Sequence, residues 1–349
     1  MRFAFLFSVA ASVAYAYAGS NSSVHSWKLK DFKTLIAFGD SYTDDSRYGF
    51  FSANNGSAPP AGWVDPVNLD ASDGGRIWVQ YVAQYSGAQI YNYAVSGAVC
   101  SNDLTPRLTN GGFDYPAIEQ YELPAFIADS QYVEANGTRF FDSPRDSTVY
   151  SIWIGTNDLG TNAFLTDSNL PNTTIVDYLN CIYTQFDRLY SNGARNFVIQ
   201  NNAPLHLVPM YSLPNNAGQA NGQNATELHY RMQEQVVLAN DGFKYRTPYE
   251  LLVAERYPGA SFAIYDIYGL MSDIYYNPAE YLNGTAPANV TGWVDVCDAS
   301  GKNCTLAESP DSYMWYNALH PSEQTDRVVA KNFVDVVRGR SKWATYWSS

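Results

Sequence analysis

Five short apolar runs punctuate this chain: Thr34 to Phe38, Gln89 to Val95, Thr148 to Ile154, Asn196 to Gln200 and Ser261 to Tyr265. Each has the length of a buried strand and is too short for a helix of its own. Between them lie the amphipathic stretches Arg76 to Tyr85, Ile175 to Tyr190 and Glu227 to Arg256, the last with an expected break at Thr247-Pro248, where proline removes a backbone donor. Strands alternating with helices imply a parallel sheet covered by helices on both faces. With 349 residues, 46% of them hydrophobic, the chain has enough apolar surface for a large core. It carries no internal repeat and no charged linker. The irregular segments Phe51 to Gly75, Asn102 to Gly112, Ala203 to Asn224 and Asn277 to Ser312 follow or flank strand exits, and at least two of them are expected to wall a cleft.

Four segments at strand exits carry chemistry. Gly39-Asp40-Ser41-Tyr42-Thr43 closes the first strand, and a serine on such a turn presents its hydroxyl at the rim of a sheet. Gly97, in Asn92-Tyr93-Ala94-Val95-Ser96-Gly97-Ala98, follows the second strand and lets the backbone approach a ligand closely. Asn157, in Gly155-Thr156-Asn157-Asp158, follows the third and carries a side-chain amide donor. The N–H groups of Ser41 and Gly97 and the Asn157 amide are the candidate oxyanion donors. His320-Pro321-Ser322 lies beyond the fifth strand and opens a helix running to about Val337. Of the four histidines, His25 is near the N-terminus, His229 falls inside a helix and His206 follows the fourth strand; His320 is the candidate base for the Ser41 proton. Asp40 and Asp158 beside these motifs read as structural, holding the loops by hydrogen bonds.

Composition and processing signals set the surroundings. Met1-Arg2, the mostly apolar Phe3 to Ala14 and the small-x-small Ala16-Tyr17-Ala18 read as a secretory signal over residues 1–18, followed by a single domain over 19–349. No later segment has about 18 uninterrupted apolar residues, so no membrane span is expected. Asn21, Asn55, Asn136, Asn172, Asn224, Asn283, Asn289 and Asn303 sit in N-x-[ST] sequons, as expected of a eukaryotic, extracellular glycoprotein. Four cysteines in an exported chain suggest two disulfides. The short polar loop between Cys297 and Cys304 favours that pair and leaves Cys100 with Cys181. The net charge of −13 repels phosphate backbones and argues against nucleic-acid binding. It also suits acidic surroundings. A monomer is expected. No cofactor or metal is expected: cysteine spacing does not resemble a zinc site, and neither H-E-x-x-H nor G-x-S-x-G occurs.

The ordered set Ser41, Gly97, Asn157 and His320 resembles the four blocks of the GDSL or SGNH hydrolase family, with the likeness running from Lys33 to Arg340. The detail of the blocks is most similar to secreted fungal acetylesterases of carbohydrate esterase family 16. The resemblance implies a flavodoxin-like three-layer α/β/α sandwich with a five-stranded parallel sheet in the order 2-1-3-4-5, whose switch point lies between the strands that end at Ser41 and Asn157. It also implies a serine esterase that releases short acyl groups, most of all acetyl, from carbohydrate, with a small-molecule or oligosaccharide ester as its partner. A lipase or phospholipase on the same fold is the second enzyme reading. One position departs from the family: Asn317 stands where an Asp usually orients the histidine. An amide accepts the imidazole N–H but brings no charge, which leaves open a main-chain carbonyl as the orienting group, a substitute carboxylate such as Asp311, or a weakened, sugar-binding pseudoenzyme.

Overall fold

The computed structural model describes residues 27–214, 223–297 and 303–349. The signal segment, Asn21 and His25 lie outside the described residues. β1 (Thr34–Gly39) is buried along its whole length and pairs in parallel with β2 (Gln89–Asn92) on one side and β3 (Thr148–Trp153) on the other. β4 (Asn196–Gln200) and β5 (Ser261–Tyr265) continue the parallel sheet. β1, β3, β4 and β5 are largely apolar and buried because both of their faces are covered. The order β2-β1-β3-β4-β5 agrees with the expected 2-1-3-4-5. The strand count does not. A sixth strand, Ala344–Ser348, adds antiparallel to β5 with Ala344 opposite Tyr265 and Ser348 opposite Ser261. It covers what would otherwise be an open parallel edge.

Among the described residues seven α-helices flank the sheet and the site: α1 (Arg47–Ala53), α2 (Trp78–Ser86), α3 (Leu123–Gln131), α4 (Ile175–Ser191), α5 (Ala225–Leu252), α6 (Ile267–Tyr276) and α7 (Glu323–Val337). On one face α2 and α7 pack together, Trp78 against Phe333 at 4.9 Å, and Phe333 reaches Tyr265 of β5. On the other, Phe186 of α4 meets Phe197 and Phe262, which sit side by side on β4 and β5. This gives the three layers. α5 runs unbroken through Pro248, correcting the expected interruption. Pro248 falls in the last turn or so, and the one carbonyl that it deprives of a helical donor, that of Lys244, belongs to an exposed residue. The N-cap of α5 is Asn224, whose side chain accepts from the Thr226 and Glu227 N–H groups.

Two disulfides are present, Cys100–Cys181 and Cys297–Cys304. The first ties the loop after β2 to α4. The second closes a two-stranded ribbon of Asp295–Cys297 and Cys304–Leu306. Among the described residues no helix is long and apolar enough to cross a membrane. Asn55, Asn136, Asn172, Asn224, Asn283 and Asn303 are exposed, while Asn289 is half-buried, its side chain accepting from the Thr291 and Gly292 N–H groups.

Candidate active site

β1 ends on a glycine because nothing larger fits. A Cβ on Gly39 would stand 2.3 Å from the Trp153 carbonyl oxygen of β3. The Gly39 N–H donates to Glu122 Oε2 at 3.0 Å, so a buried carboxyl group 83 residues away anchors the strand exit. The chain then turns: the Thr43 and Asp44 N–H groups donate to the Asp40 carbonyl, and Asp40 Oδ1 accepts from the Tyr42 N–H. Ser41 sits on this turn with little exposure, 6%.

His320 arrives from the far end of the chain. Its loop is held by the Tyr316 N–H on the His320 carbonyl, by the Met210 N–H on the Ala318 carbonyl, and by the Tyr42 hydroxyl, which donates to the Leu319 carbonyl at 2.7 Å. The Tyr42 ring also lies edge-on to the imidazole at 5.7 Å. His320 Nε2 is 2.8 Å from Ser41 Oγ, and Nδ1 is 3.0 Å from Asn317 Oδ1. That oxygen accepts two further bonds, from the Leu319 and His320 N–H groups, each 2.9 Å. Two backbone donors dictate which end of the amide faces inward, since only the oxygen accepts. Nδ1 must therefore carry the proton, and Nε2 offers its lone pair to the Ser41 hydroxyl. Asn317 thus selects the useful tautomer through a local Asx turn. Asp311, the candidate substitute carboxylate, pairs with Arg327 instead and takes no part in orienting the imidazole.

The two remaining blocks converge on the same turn. Gly97 has φ +87, and a Cβ there would meet the Tyr115 ring at 2.2 Å, so the position demands glycine twice over. Arg107 Nη1 donates to the Gly97 carbonyl at 2.8 Å, which fixes the peptide. Among the described residues neither the Ser41 nor the Gly97 N–H has an acceptor. One hydrogen of the Asn157 amide goes to the Ala98 carbonyl at 2.9 Å and leaves the other available. The aspartates hold these loops, as expected, and the structure supplies their partners. Asp40, beside Ser41, faces Thr156, beside Asn157. Asp158 accepts from the Cys100 N–H at 2.9 Å, binding the Asn157 loop to the Gly97 loop just where the first disulfide enters.

Burial sets the electrostatics. Desolvation holds the His320 imidazole down at about 4, with no carboxylate beside it to offset the effect. It pushes Asp40 up to about 6 and Asp158 to about 7, and raises Glu122 well above the usual carboxylate range. In mildly acidic solution the constellation therefore combines a neutral base with largely uncharged acids. Such an arrangement can accept a proton from Ser41 and donate to an oxyanion.

Among the described residues the other two histidines stay apart. His206 is buried against Tyr268, and His229 Nδ1 lies 3.0 Å from the Tyr211 carbonyl. Among the described residues one group of three or more His, Cys, Asp or Glu side chains has metal-ligand spacing: Asp295, Cys297 and Cys304. Its two sulfurs are spent in a disulfide. Of the four long segments, 51–75 lines a cleft of about 680 Å³ next to the Gly97 loop, and 102–112 supplies Arg107.

Known proteins resemble this chain over most of its length. The GDSL-like lipase/acylhydrolase family pattern matches residues 35–333. An acetylesterase of Hypocrea jecorina is 39% identical over 91% of this chain and 92% of its own. An acetylesterase of Thermothelomyces thermophilus is 25% identical over 88% and 89%, and a GDSL esterase/lipase of Arabidopsis thaliana 24% identical over 85% and 86%.

Proposed function

This chain belongs to the GDSL-like lipase/acylhydrolase family, and from that premise we propose that it is a secreted serine esterase removing acetyl groups from carbohydrate. The observation that carries the reading is the relay from Asn317 Oδ1 through His320 to Ser41 Oγ, at 3.0 and 2.8 Å. The likeness to two fungal acetylesterases supports acetyl as the acyl group. In this reading residues 1–18 are removed, and 19–349 act as one monomeric, glycosylated hydrolase.

Ser41 Oγ attacks the ester carbonyl carbon while His320 Nε2 takes its proton. The carbonyl π-electrons move to oxygen, where the Ser41 and Gly97 N–H groups and the free hydrogen of the Asn157 amide receive the charge. The intermediate collapses as His320 returns the proton to the leaving alcohol, and an acetyl-Ser41 remains. Water then adds by the same route, with His320 as base, and acetate leaves. Asn317 holds the Nδ1–H throughout. It supplies a dipole where most relatives of this architecture would supply a charge, so His320 becomes a less stabilised imidazolium.

A folded Ser41→Ala protein should lose ester hydrolysis, and the parent should be labelled at Ser41 by a fluorophosphonate. Near-normal turnover by Ser41→Ala overturns the mechanism, and an unlabelled parent points to the sugar-binding pseudoenzyme. Acetyl and propionyl esters should react much faster than octanoyl esters; the reverse order supports the lipase or phospholipase reading.

A further inference from the structure

The cleft beside the Gly97 loop has a distinctive lining. It begins at Ser96, runs past Asp44, Asp45 and α1, and ends along 63–72. Trp63 is half-buried in its wall, with the Arg47 guanidinium 4.9 Å over the ring and Phe50 edge-on at 5.3 Å. Arg47 is itself buried and donates to the Asn92 carbonyl and the Tyr121 hydroxyl, so the indole rests on a fixed support. Tyr48, nearer the Gly97 loop, stacks on Tyr115 at 5.7 Å, and Tyr115 is the ring that crowds Gly97. The lining holds three aspartates and neither Lys nor Arg. Asp44 and Asp45 are buried, and their carboxyl groups accept bonds from the protein. Asp70 is exposed, and among the described residues its carboxylate takes no hydrogen bond or ion pair.

We propose that this cleft is the leaving-group subsite and that it is built for an uncharged sugar ring. The proposal rests on the esterase reading above and adds the class of alcohol released. The C–H face of the ring lies against Trp63 and Tyr48, and a ring hydroxyl donates to Asp70, a charge-assisted bond. A flat aromatic wall and a free acceptor suit a polyol ring. An anionic leaving group, such as a uronic acid or a phosphate head group, meets carboxyl groups and no cation to pair with it, which selects against it.

The test compares three acetates: ethyl acetate, whose leaving group is too small to fill the cleft, an O-acetylated methyl xyloside, and an O-acetylated methyl glucuronoside. Trp63→Ala should raise KM for the xyloside by about 3–10-fold, the range of one aromatic contact, and change kcat/KM for ethyl acetate less than about twofold. Trp63→Phe should recover most of the affinity. The parent should favour the xyloside over the glucuronoside, and Asp70→Lys at its exposed position should narrow that preference. Equal effects on ethyl acetate and xyloside, an unchanged xyloside KM in Trp63→Ala, or equal use of both sugars by the parent would overturn the subsite. A parent inert to all three acetates would instead overturn the esterase reading. Saturation-transfer NMR with unacetylated methyl xyloside then tests the subsite by itself: a transfer signal that is present with the parent and disappears in Trp63→Ala supports it, and no signal with the parent refutes it.

Discussion

At the scale of single residues, Asn317 is the informative departure. Its oxygen takes three donors, so it fixes the His320 tautomer as a carboxylate would, yet it leaves the imidazolium without a counter-charge. Replacing it by Asp should raise kcat, by about tenfold or more, because the positive charge formed in the transition state gains an anionic neighbour. The same charge should raise the His320 pKa. The parent's kcat/KM should fall only as pH drops through about 4, where the desolvated imidazole protonates; in Asn317→Asp that acidic limb should move to higher pH. A pH–rate profile reads both effects. An unmoved limb would mean that the introduced carboxylate does not face the ring. Asn157 makes a second test. Its amide is oriented by the Ala98 carbonyl, so Asn157→Ala should lower kcat by about 10²–10³ with a smaller change in KM. A change confined to KM would assign Asn157 to substrate binding.

At the scale of elements, the segment 51–75 is clasped to α7 and α2 by acids. Asp73 Oδ1 accepts from the Gly75 N–H, and Asp326 Oδ2, on α7, accepts from the Trp78 N–H at the start of α2. Their other oxygens are fully buried without a hydrogen-bond partner, and the two carboxyl groups lie beside each other. Two carboxyl groups can bond only by sharing a proton, and burial favours this by pushing both upward, Asp73 to about 6. Arg76 and Tyr81 meet the neighbouring Glu323 and not this pair. Asp326→Asn supplies a permanent donor in place of the proton. Its melting temperature should vary less between about pH 5 and pH 8 than the parent's. Thermal melts in which the two proteins follow one pH curve would show that the pair holds no shared proton.

At the scale of the whole molecule, buried acids outnumber buried bases. Desolvation lifts Asp40 and Asp73 to about 6, Asp45 and Asp158 to about 7 and Asp65 to about 9. The unfolded chain releases these protons near pH 4. Between about pH 4 and 8 the folded state therefore binds more protons than the unfolded one, and stability falls as pH rises. His320 and His206, both lowered to about 4, act oppositely: the unfolded chain takes up their protons below about 6.5, so they cost stability as pH falls. The raised acids outnumber the two lowered histidines, which predicts a melting temperature that declines from about pH 4 towards pH 8. Self-repulsion of a chain with net charge −13 acts in the same direction. A maximum near neutrality would show that these carboxyl groups ionise in the folded protein.

The positions of β1 to β5 and of Ser41, Gly97, Asn157 and His320 were legible in the sequence. A doubly covered strand is written as a local apolar run, and each block is a few adjacent residues at a strand exit. Asn317 was legible as a departure but not as a solution, because the proof that its oxygen faces the imidazole lies in two backbone donors that exist only in the folded loop. Glu122 on the Gly39 N–H, Asp40 facing Thr156, Asp158 on the Cys100 N–H and Asp311 on Arg327 were equally invisible. The same holds for the last strand, Ala344–Ser348, which is half-exposed, short and without a buried run, and becomes a strand by pairing with β5. Burial patterns repeat along the chain and can be read there. A polar group's partner is chosen by three-dimensional proximity, often across tens or hundreds of residues, and only the tertiary structure decides it.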